Sequence, residues 1–132
     1  MLSRARPRCL IVDDNEFFLE IAAASLAGDG LDVVGTATTS AEALRQVAEQ
    51  RPDVVLVDVN LGEESGFELA QTLVARFPPL ASGVVLISTR PEADFGGLVE
   101  ASPAAGFVPK AQLSARAVRE VVATRLSDRE EM

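Results

Sequence analysis

The chain has 132 residues, and its 12 Lys and Arg against 20 Asp and Glu give a net charge of −8. It contains one Cys and no His, which excludes imidazole-based catalysis, the usual zinc sites, internal disulfides and thiolate metal clusters. The acidic balance argues against direct nucleic-acid binding, and no apolar run nears the roughly 20 residues that span a bilayer.

A single soluble, cytoplasmic domain is expected. Along it, five short apolar runs alternate with longer segments in which the apolar residues recur with the period of a helix. The runs lie at residues 9–12, 33–34, 54–57, 84–87 and 106–108. Their nearly continuous apolar character is typical of parallel strands that are buried on both faces. Strands that alternate with helices predict right-handed crossovers and a doubly wound parallel sheet.

The first two helical segments have clear predicted ends. The first has Asn15 as its N-cap and ends at Gly28. The residues expected on its buried face are Phe18, Ile21, Ala22 and Ser25. The second begins at Ser40 and ends before Pro52, because the residue before a proline disfavours helical backbone. The residues expected on its buried face are Ala41, Leu44, Val47 and Ala48.

The remaining helical segments differ in strength. The third is expected to bury Leu69, Ala70, Leu73 and Phe77. The fourth, residues 91–101, is a poorer helix, because Gly96 and Gly97 in its middle cost about 1 kcal/mol each relative to Ala. Ser114 is the predicted cap of the last helix, whose aligned residues are Val118, Val121, Val122 and Arg125.

Polar side chains stand at the predicted carboxyl ends of the strands, the edge at which doubly wound sheets bind their ligands. They are Asp13 and Asp14 after the first strand, Asp58 after the third, Ser88 and Thr89 after the fourth, and Lys110 after the fifth. If the first and third strands are neighbours, three carboxylates converge, and their repulsion calls for a divalent cation such as Mg²⁺ and for the Lys ammonium. A phosphoryl group on one carboxylate requires such surroundings of metal, Lys and hydroxyl.

Taken singly, these residues also permit plainer interpretations. Asp13 and Asp14 can end a strand and cap a helix, although two adjacent buried acids are costly without a cation. The Ser88 and Thr89 hydroxyls can simply accept hydrogen bonds from loop amides, and Asp58 can be an ordinary turn residue. Lys110 can be a solvated surface lysine, Phe107 a core residue, and Cys9 a small buried hydrophobic residue.

Five motifs in order give the chain a resemblance to a known family. They are Ile11-Val12-Asp13-Asp14-Asn15, Val55-Leu56-Val57-Asp58, Gly66 eight positions later, Val85-Leu86-Ile87-Ser88 and Gly106-Phe107-Val108-Pro109-Lys110. Because these motifs occur in this order and at these spacings, residues 8–127 resemble the receiver domain of bacterial two-component response regulators. The resemblance implies one flavodoxin-like α/β domain, with a five-stranded parallel sheet in the order 2-1-3-4-5 and helices on both faces. Residues 1–7 are then expected as a flexible N-terminus and residues 128–132 as a tail.

The resemblance also implies a role for each site residue. Asp58 is the phosphoacceptor, and Asp13, Asp14 and Asp58, with the backbone carbonyl of Asn60, hold Mg²⁺ (or Mn²⁺). Lys110 contacts the phosphoryl oxygens. Phe107 is the aromatic switch, and Ser88 is the switch hydroxyl. The branched Thr89 lies beside the path that gives access to the phosphoryl group. Asn60 and Arg90 occupy positions that tune dephosphorylation.

The implied function is phosphorylation-controlled signalling, not turnover catalysis. The phosphoryl donor is a sensor histidine kinase or a histidine phosphotransfer protein. The response is a changed surface at the fourth helix, fifth strand and fifth helix, which acts on an output domain or protein and offers a homodimer interface. Two alternatives stay open: a pseudoreceiver that takes no phosphate, and an aspartyl-phosphate phosphohydrolase. Against the phosphohydrolase, the position two residues after the nucleophile, where that superfamily usually has a general-acid Asp, is Asn60.

Overall fold

Five strands form the central sheet of the computed structural model, which describes residues 6–130. They are β1 (Arg8–Val12), β2 (Asp32–Ala37), β3 (Val54–Asp58), β4 (Val84–Ser88) and β5 (Gly106–Pro109). All neighbouring pairs are parallel, and the order is β2-β1-β3-β4-β5. This confirms the predicted five-stranded parallel sheet and its strand order. The central strands β3 and β4 are buried along their whole length, whereas the edge strands are half-exposed.

Helices cover both faces of the sheet, as predicted. They are α1 (Glu16–Gly28), α2 (Ser40–Gln50), α3 (Gly66–Arg76), α4 (Leu98–Ala101) and α5 (Ala115–Glu130). Alternate residues of a strand point to opposite faces, so Leu10 of β1 packs with α2 and α3, while the adjacent Ile11 packs with α1 and α5. The sheet therefore has two apolar cores, one on each side.

The predicted buried faces of the first two helices are wrong in half of their positions. In α1 the N-cap is Asn15, as predicted, but the buried residues are Leu19, Ala22 and Leu26, and Ile21 and Ser25 are exposed. In α2 the buried residues are Ala43 and Val47, Leu44 is half-buried, and Ala41 and Ala48 are exposed. Apolar residues lie all around α1, so the hydrophobic period does not determine which face turns inward.

The later helices follow the predictions more closely. Helix α3 buries Leu69, Ala70 and Leu73. The weak fourth helix is divided: a 3-10 turn covers Glu92–Phe95, Gly96 takes a φ of 59°, and α4 proper is Leu98–Ala101. Ser114 caps α5 by accepting a hydrogen bond from the Ala117 N–H at 3.0 Å.

The two predicted loose ends are partly outside the described residues. Residues 1–5 lie outside them; the Arg6 guanidinium donates to the Ala27 carbonyl at 3.2 Å, and the Pro7 carbonyl accepts from the Asp32 N–H at 2.8 Å. At the other end α5 continues through Glu130, and residues 131–132 lie outside the described part. Within residues 6–130, none of the helices combines the length and apolar character needed to cross a membrane.

Candidate functional site

Three carboxylates meet at the carboxyl ends of β1 and β3, which are adjacent in the sheet. Asp13 and Asp14 follow β1, Asp58 ends β3, and one carboxylate oxygen from each lies within 4.8 Å of the others. Asp13 is fully buried and Asp58 is 6% exposed, whereas Asp14 faces solvent. The structure thus brings together the acids that the sequence predicts to converge, in a cluster that opens to solvent on the side of Asp14.

Backbone hydrogen bonds fix one oxygen of each buried carboxylate. Asp13 Oδ1 accepts from the Asn15 N–H at 2.9 Å, and Asp58 Oδ1 accepts from the Asn60 N–H at 3.0 Å. Both contacts are Asx turns, in which a short acidic side chain bonds to the backbone two residues on. Each acid is thereby held in place and keeps Oδ2 for a cation.

Lys110 joins the two buried acids. Its Nζ donates a hydrogen bond to Asp58 Oδ2 at 3.0 Å and forms an ion pair with Asp13 Oδ2. The ammonium also lies over the Phe18 ring, 4.2 Å from the ring centroid. The sequence placed Phe18 only among residues of the buried helix face; its position in the first turn after the two acids was the one signal of a role at the site.

Burial and pairing shift the pKa values of this group in opposing ways. Burial is the largest cause and raises the pKa of Asp58, the charge of Asp13 adds to it, and the Asn60 N–H and Lys110 offset part of the effect. For Lys110, burial by itself would lower the pKa. The hydrogen bonds and charges of Asp13 and Asp58 outweigh burial, so the pKa of Lys110 lies above its ordinary value. Lys110 is therefore a permanent cation at neutral pH.

A short hairpin follows Asp58 and closes one side of the site. Its strands, Asn60–Leu61 and Glu64–Ser65, are antiparallel. Between them Gly62 has a φ of 61°, a value that favours glycine. Glu64 Oε1 accepts from the Ser40 N–H at 3.0 Å and so ties the hairpin to the start of α2. No sequence pattern signals this contact, because it joins segments that become neighbours only in the folded sheet.

Ser88, Thr89 and Arg90, which are predicted to act after phosphorylation, lie at the carboxyl end of the strand next to β3 and directly after it. Ser88 ends β4 next to β3, is buried, and accepts a hydrogen bond from the Arg90 N–H at 3.0 Å. Thr89 and Arg90 are exposed. The Arg90 side chain turns to Asp94, with Nε 3.2 Å from Oδ2, and lies 5.4 Å from the centroid of the Phe95 ring.

Phe107, the predicted aromatic switch, belongs to a row of three rings. It lies half-buried on β5, 5.9 Å from Phe95 between ring centroids. Phe95 is in turn 5.9 Å from Phe67 at the start of α3, in an edge-on arrangement. Arg90 also contacts Phe95, so the segment after β4 and the Phe107 side chain share one neighbour.

The comparisons with known proteins agree on one family. The family model described as response regulator receiver domain matches residues 9–122. The chain is 36% identical over 122 residues to the DNA-binding transcriptional activator DevR/DosR of Mycobacterium tuberculosis, covering 89% of this chain and 55% of that protein. It is 35% identical over 104 residues to the response regulator GacA of Pseudomonas viridiflava, covering 78% of this chain and 48% of that protein.

Solved structures show the same fold. A two-component response regulator from Cytophaga hutchinsonii superposes with a TM-score of 0.76 at 20% identity, covering 94% of this chain and 99% of that one. The chain spans about half the length of the two curated relatives above.

Proposed function

The chain belongs to the response regulator receiver domain family, and from that premise we propose that Asp58 accepts a phosphoryl group in two-component signalling. Receiver domains are phosphoacceptors that bind Mg²⁺ at an acidic pocket, and they are generally not turnover enzymes. The observation that carries the proposal is the set of contacts around Asp58. Its carboxylate is buried, bonded to Lys110, and clustered with Asp13 and Asp14 within 4.8 Å.

The transfer begins with Asp58 as nucleophile. One carboxylate oxygen attacks the phosphorus of a phosphohistidine on the partner, a P–O bond forms as the P–N bond breaks, and the electron pair returns to the imidazole nitrogen. The Asn60 N–H holds Oδ1 in a fixed direction during this step. Lys110 remains close enough to offset the charge on the transferred phosphoryl oxygens, since its Nζ lies 3.0 Å from Asp58 Oδ2.

Asp13, Asp14 and Asp58, with the Asn60 backbone carbonyl, are the residues that would hold Mg²⁺, and Mn²⁺ could replace it. The residues fit such an ion: one carboxylate oxygen from each of the three acids lies within 4.8 Å of the others, and hard oxygen donors are the ligands that Mg²⁺ prefers. When bound, the ion supplies Lewis-acid neutralisation of phosphoryl charge. The residues themselves supply the orientation.

Ser88 and Phe107 are the residues whose side chains change conformation in the phosphorylated state. We expect the Ser88 hydroxyl to turn toward the phosphoryl oxygens and to give up its contact with the Arg90 N–H, while Phe107 changes rotamer against Phe95. Thr89 stands beside the path to the phosphoryl group. Asn60 and Arg90, both exposed, are the residues expected to set how readily water reaches it.

The partners follow from this cycle. A sensor histidine kinase or a histidine phosphotransfer protein donates the phosphoryl group, and the surface of α4, β5 and α5 then acts on an output domain or protein. The same surface is the proposed homodimer interface. Because the relative in Mycobacterium tuberculosis is a DNA-binding transcriptional activator, control of transcription is the output that we favour.

The test is incubation with acetyl phosphate and Mg²⁺, followed by intact mass spectrometry. The wild-type chain is expected to gain the mass of one phosphoryl group, and hydroxylamine is expected to remove it, as it does from acyl phosphates. Asp58→Asn should abolish the gain. Asp32→Asn, an equivalent change at an exposed position on the start of β2, should leave it intact.

The other outcomes identify the alternatives. No gain in the wild-type chain from acetyl phosphate or from a phosphorylated kinase would overturn the proposal in favour of a pseudoreceiver. Repeated hydrolysis of phosphate monoesters, with many turnovers per protein molecule, would overturn it in favour of a phosphohydrolase.

A further inference from the structure

We propose that Phe18 is a positioning residue, whose ring face holds the Lys110 ammonium beside Asp58. The Lys110 Nζ lies 4.2 Å from the centroid of the Phe18 ring, well inside the roughly 6 Å within which a cation is attracted to an aromatic face. The contact is a property of the folded chain by itself. Its importance for phosphoryl transfer rests on the proposed function.

The turn that places Asp13 also places Phe18. The Asn15 N–H donates to Asp13 Oδ1 at 2.9 Å, and Asn15 Oδ1 in turn accepts from the Phe18 N–H at 3.1 Å as the N-cap of α1. The ring is therefore fixed to the start of the helix at a set distance from the buried acid. Because the ring is half-buried, the ammonium beneath it is partly withdrawn from water, which strengthens the attraction.

Phe18 differs in kind from the other partners of Lys110. Asp13 and Asp58 are the carboxylates that would also hold a divalent cation, so an ion at the cluster competes with Lys110 for them. The ring carries no formal charge and takes no part in that competition. Phe18 is thus the contact that keeps Lys110 at the site whatever else the acids bind.

The chain is unusually well suited to a direct test, since Lys110 is its only lysine. Lysine labelled with carbon-13 gives one side-chain spin system by NMR, without the need for assignment. In the metal-free, unphosphorylated wild-type protein, the Lys110 ε protons are expected to be shifted upfield by the ring current and to show an NOE to the Phe18 ring protons. An ε resonance at its unstructured position, with no such NOE, would overturn the proposal without any variant.

Variants then separate the ring face from apolar packing. Phe18→Leu keeps an apolar side chain and is expected to abolish the upfield shift, whereas Phe18→Tyr keeps the ring and should restore it. The control is Phe17→Leu on the adjacent residue, which is 71% exposed and should leave the Lys110 signal unchanged. An unchanged signal in Phe18→Leu would refute the assignment.

The kinetic arm measures the rate of phosphoryl uptake from acetyl phosphate. Phe18→Leu is expected to slow uptake about 3- to 10-fold, from the usual strength of a partly buried cation–ring contact, and Phe18→Tyr should return it to near the wild-type rate. Equal rates in all three proteins would show that Phe18 positions nothing that the transfer uses. If the wild-type protein takes no phosphoryl group at all, the proposed function fails, while the NMR result still decides whether Phe18 holds Lys110.

Discussion

Gly66 stands where helix α3 passes closest to the backbone of Asp58, and we expect Gly66→Ala to disturb both stability and site. A Cβ at this position would overlap the Asp58 carbonyl oxygen and lie 2.8 Å from the Asp58 carbonyl carbon and from Val59 Cα. All three are backbone atoms, two at the end of β3 and one in the residue after it, so no side-chain rotation relieves the clash. The Gly66 N–H also donates to the Val59 carbonyl at 2.8 Å, which fixes the helix start at this distance.

The magnitude follows from the cost of overpacking. Forcing extra atoms into a packed site costs about 1–3 kcal/mol, and contacts with rigid backbone place Gly66→Ala at about 2–3 kcal/mol. For a chain of this length 1 kcal/mol corresponds to roughly 3–5 °C in Tm, so the midpoint should fall by about 6–15 °C. Since the clash moves the Asp58 backbone, uptake from acetyl phosphate should slow as well.

The assay is urea unfolding followed by far-UV circular dichroism, because the chain has no Trp or Tyr for fluorescence. Gly28→Ala is the matched control: this glycine is also helical, and a Cβ there would have nothing within 4 Å. Its free energy of unfolding should stay level or rise by up to about 1 kcal/mol. A Gly66→Ala protein within about 0.5 kcal/mol of wild type would refute the close approach of α3 to Asp58.

Two further predictions concern titrating groups. Burial raises the pKa of the Cys9 thiol to about 12, so the folded protein should react with a disulfide reagent at mildly alkaline pH far more slowly than the urea-unfolded chain; equal rates would contradict this. Burial also raises the pKa of Asp58 above its ordinary 3.8. The folded state therefore favours protonated Asp58; this stabilisation is complete below pH 3.8 and is lost as the pH rises through the pKa that Asp58 has in the folded protein. In chelator-treated protein, Asp58→Asn should therefore gain stability relative to wild type between acid and neutral pH, and urea midpoints that show no such gain would contradict the sign.

The strands were predictable from local sequence, and the acid cluster from local sequence together with the strand order that the family resemblance implies. Each central strand is a short apolar run, and each acid comes directly at the end of such a run, as Asp58 does after Val57. Once parallel strands are inferred, their carboxyl ends must share one edge. No contact distance is needed for that conclusion.

The rotation of α1 and the finer contacts of the site were not predictable in the same way. Apolar residues on several faces of α1 leave its rotation to the packing against β1 and β2, and the outcome buries Leu19 and leaves Ile21 54% exposed. The contacts of Lys110 with Phe18 and of Glu64 with Ser40 join residues from separate segments of the chain. Such pairs depend on tertiary placement and rotamer, which a periodic pattern does not encode.

The glycine break before α4 also makes the chain convenient for site-specific labelling. A Cβ at Gly97 would have nothing within 4 Å, and its φ of −89° suits any residue, unlike the φ of 59° at Gly96. The native thiol, Cys9, is fully buried. A cysteine introduced by Gly97→Cys would therefore be the one readily modified thiol, and a fluorophore attached there would sit beside the α4 surface without any change to the native cysteine.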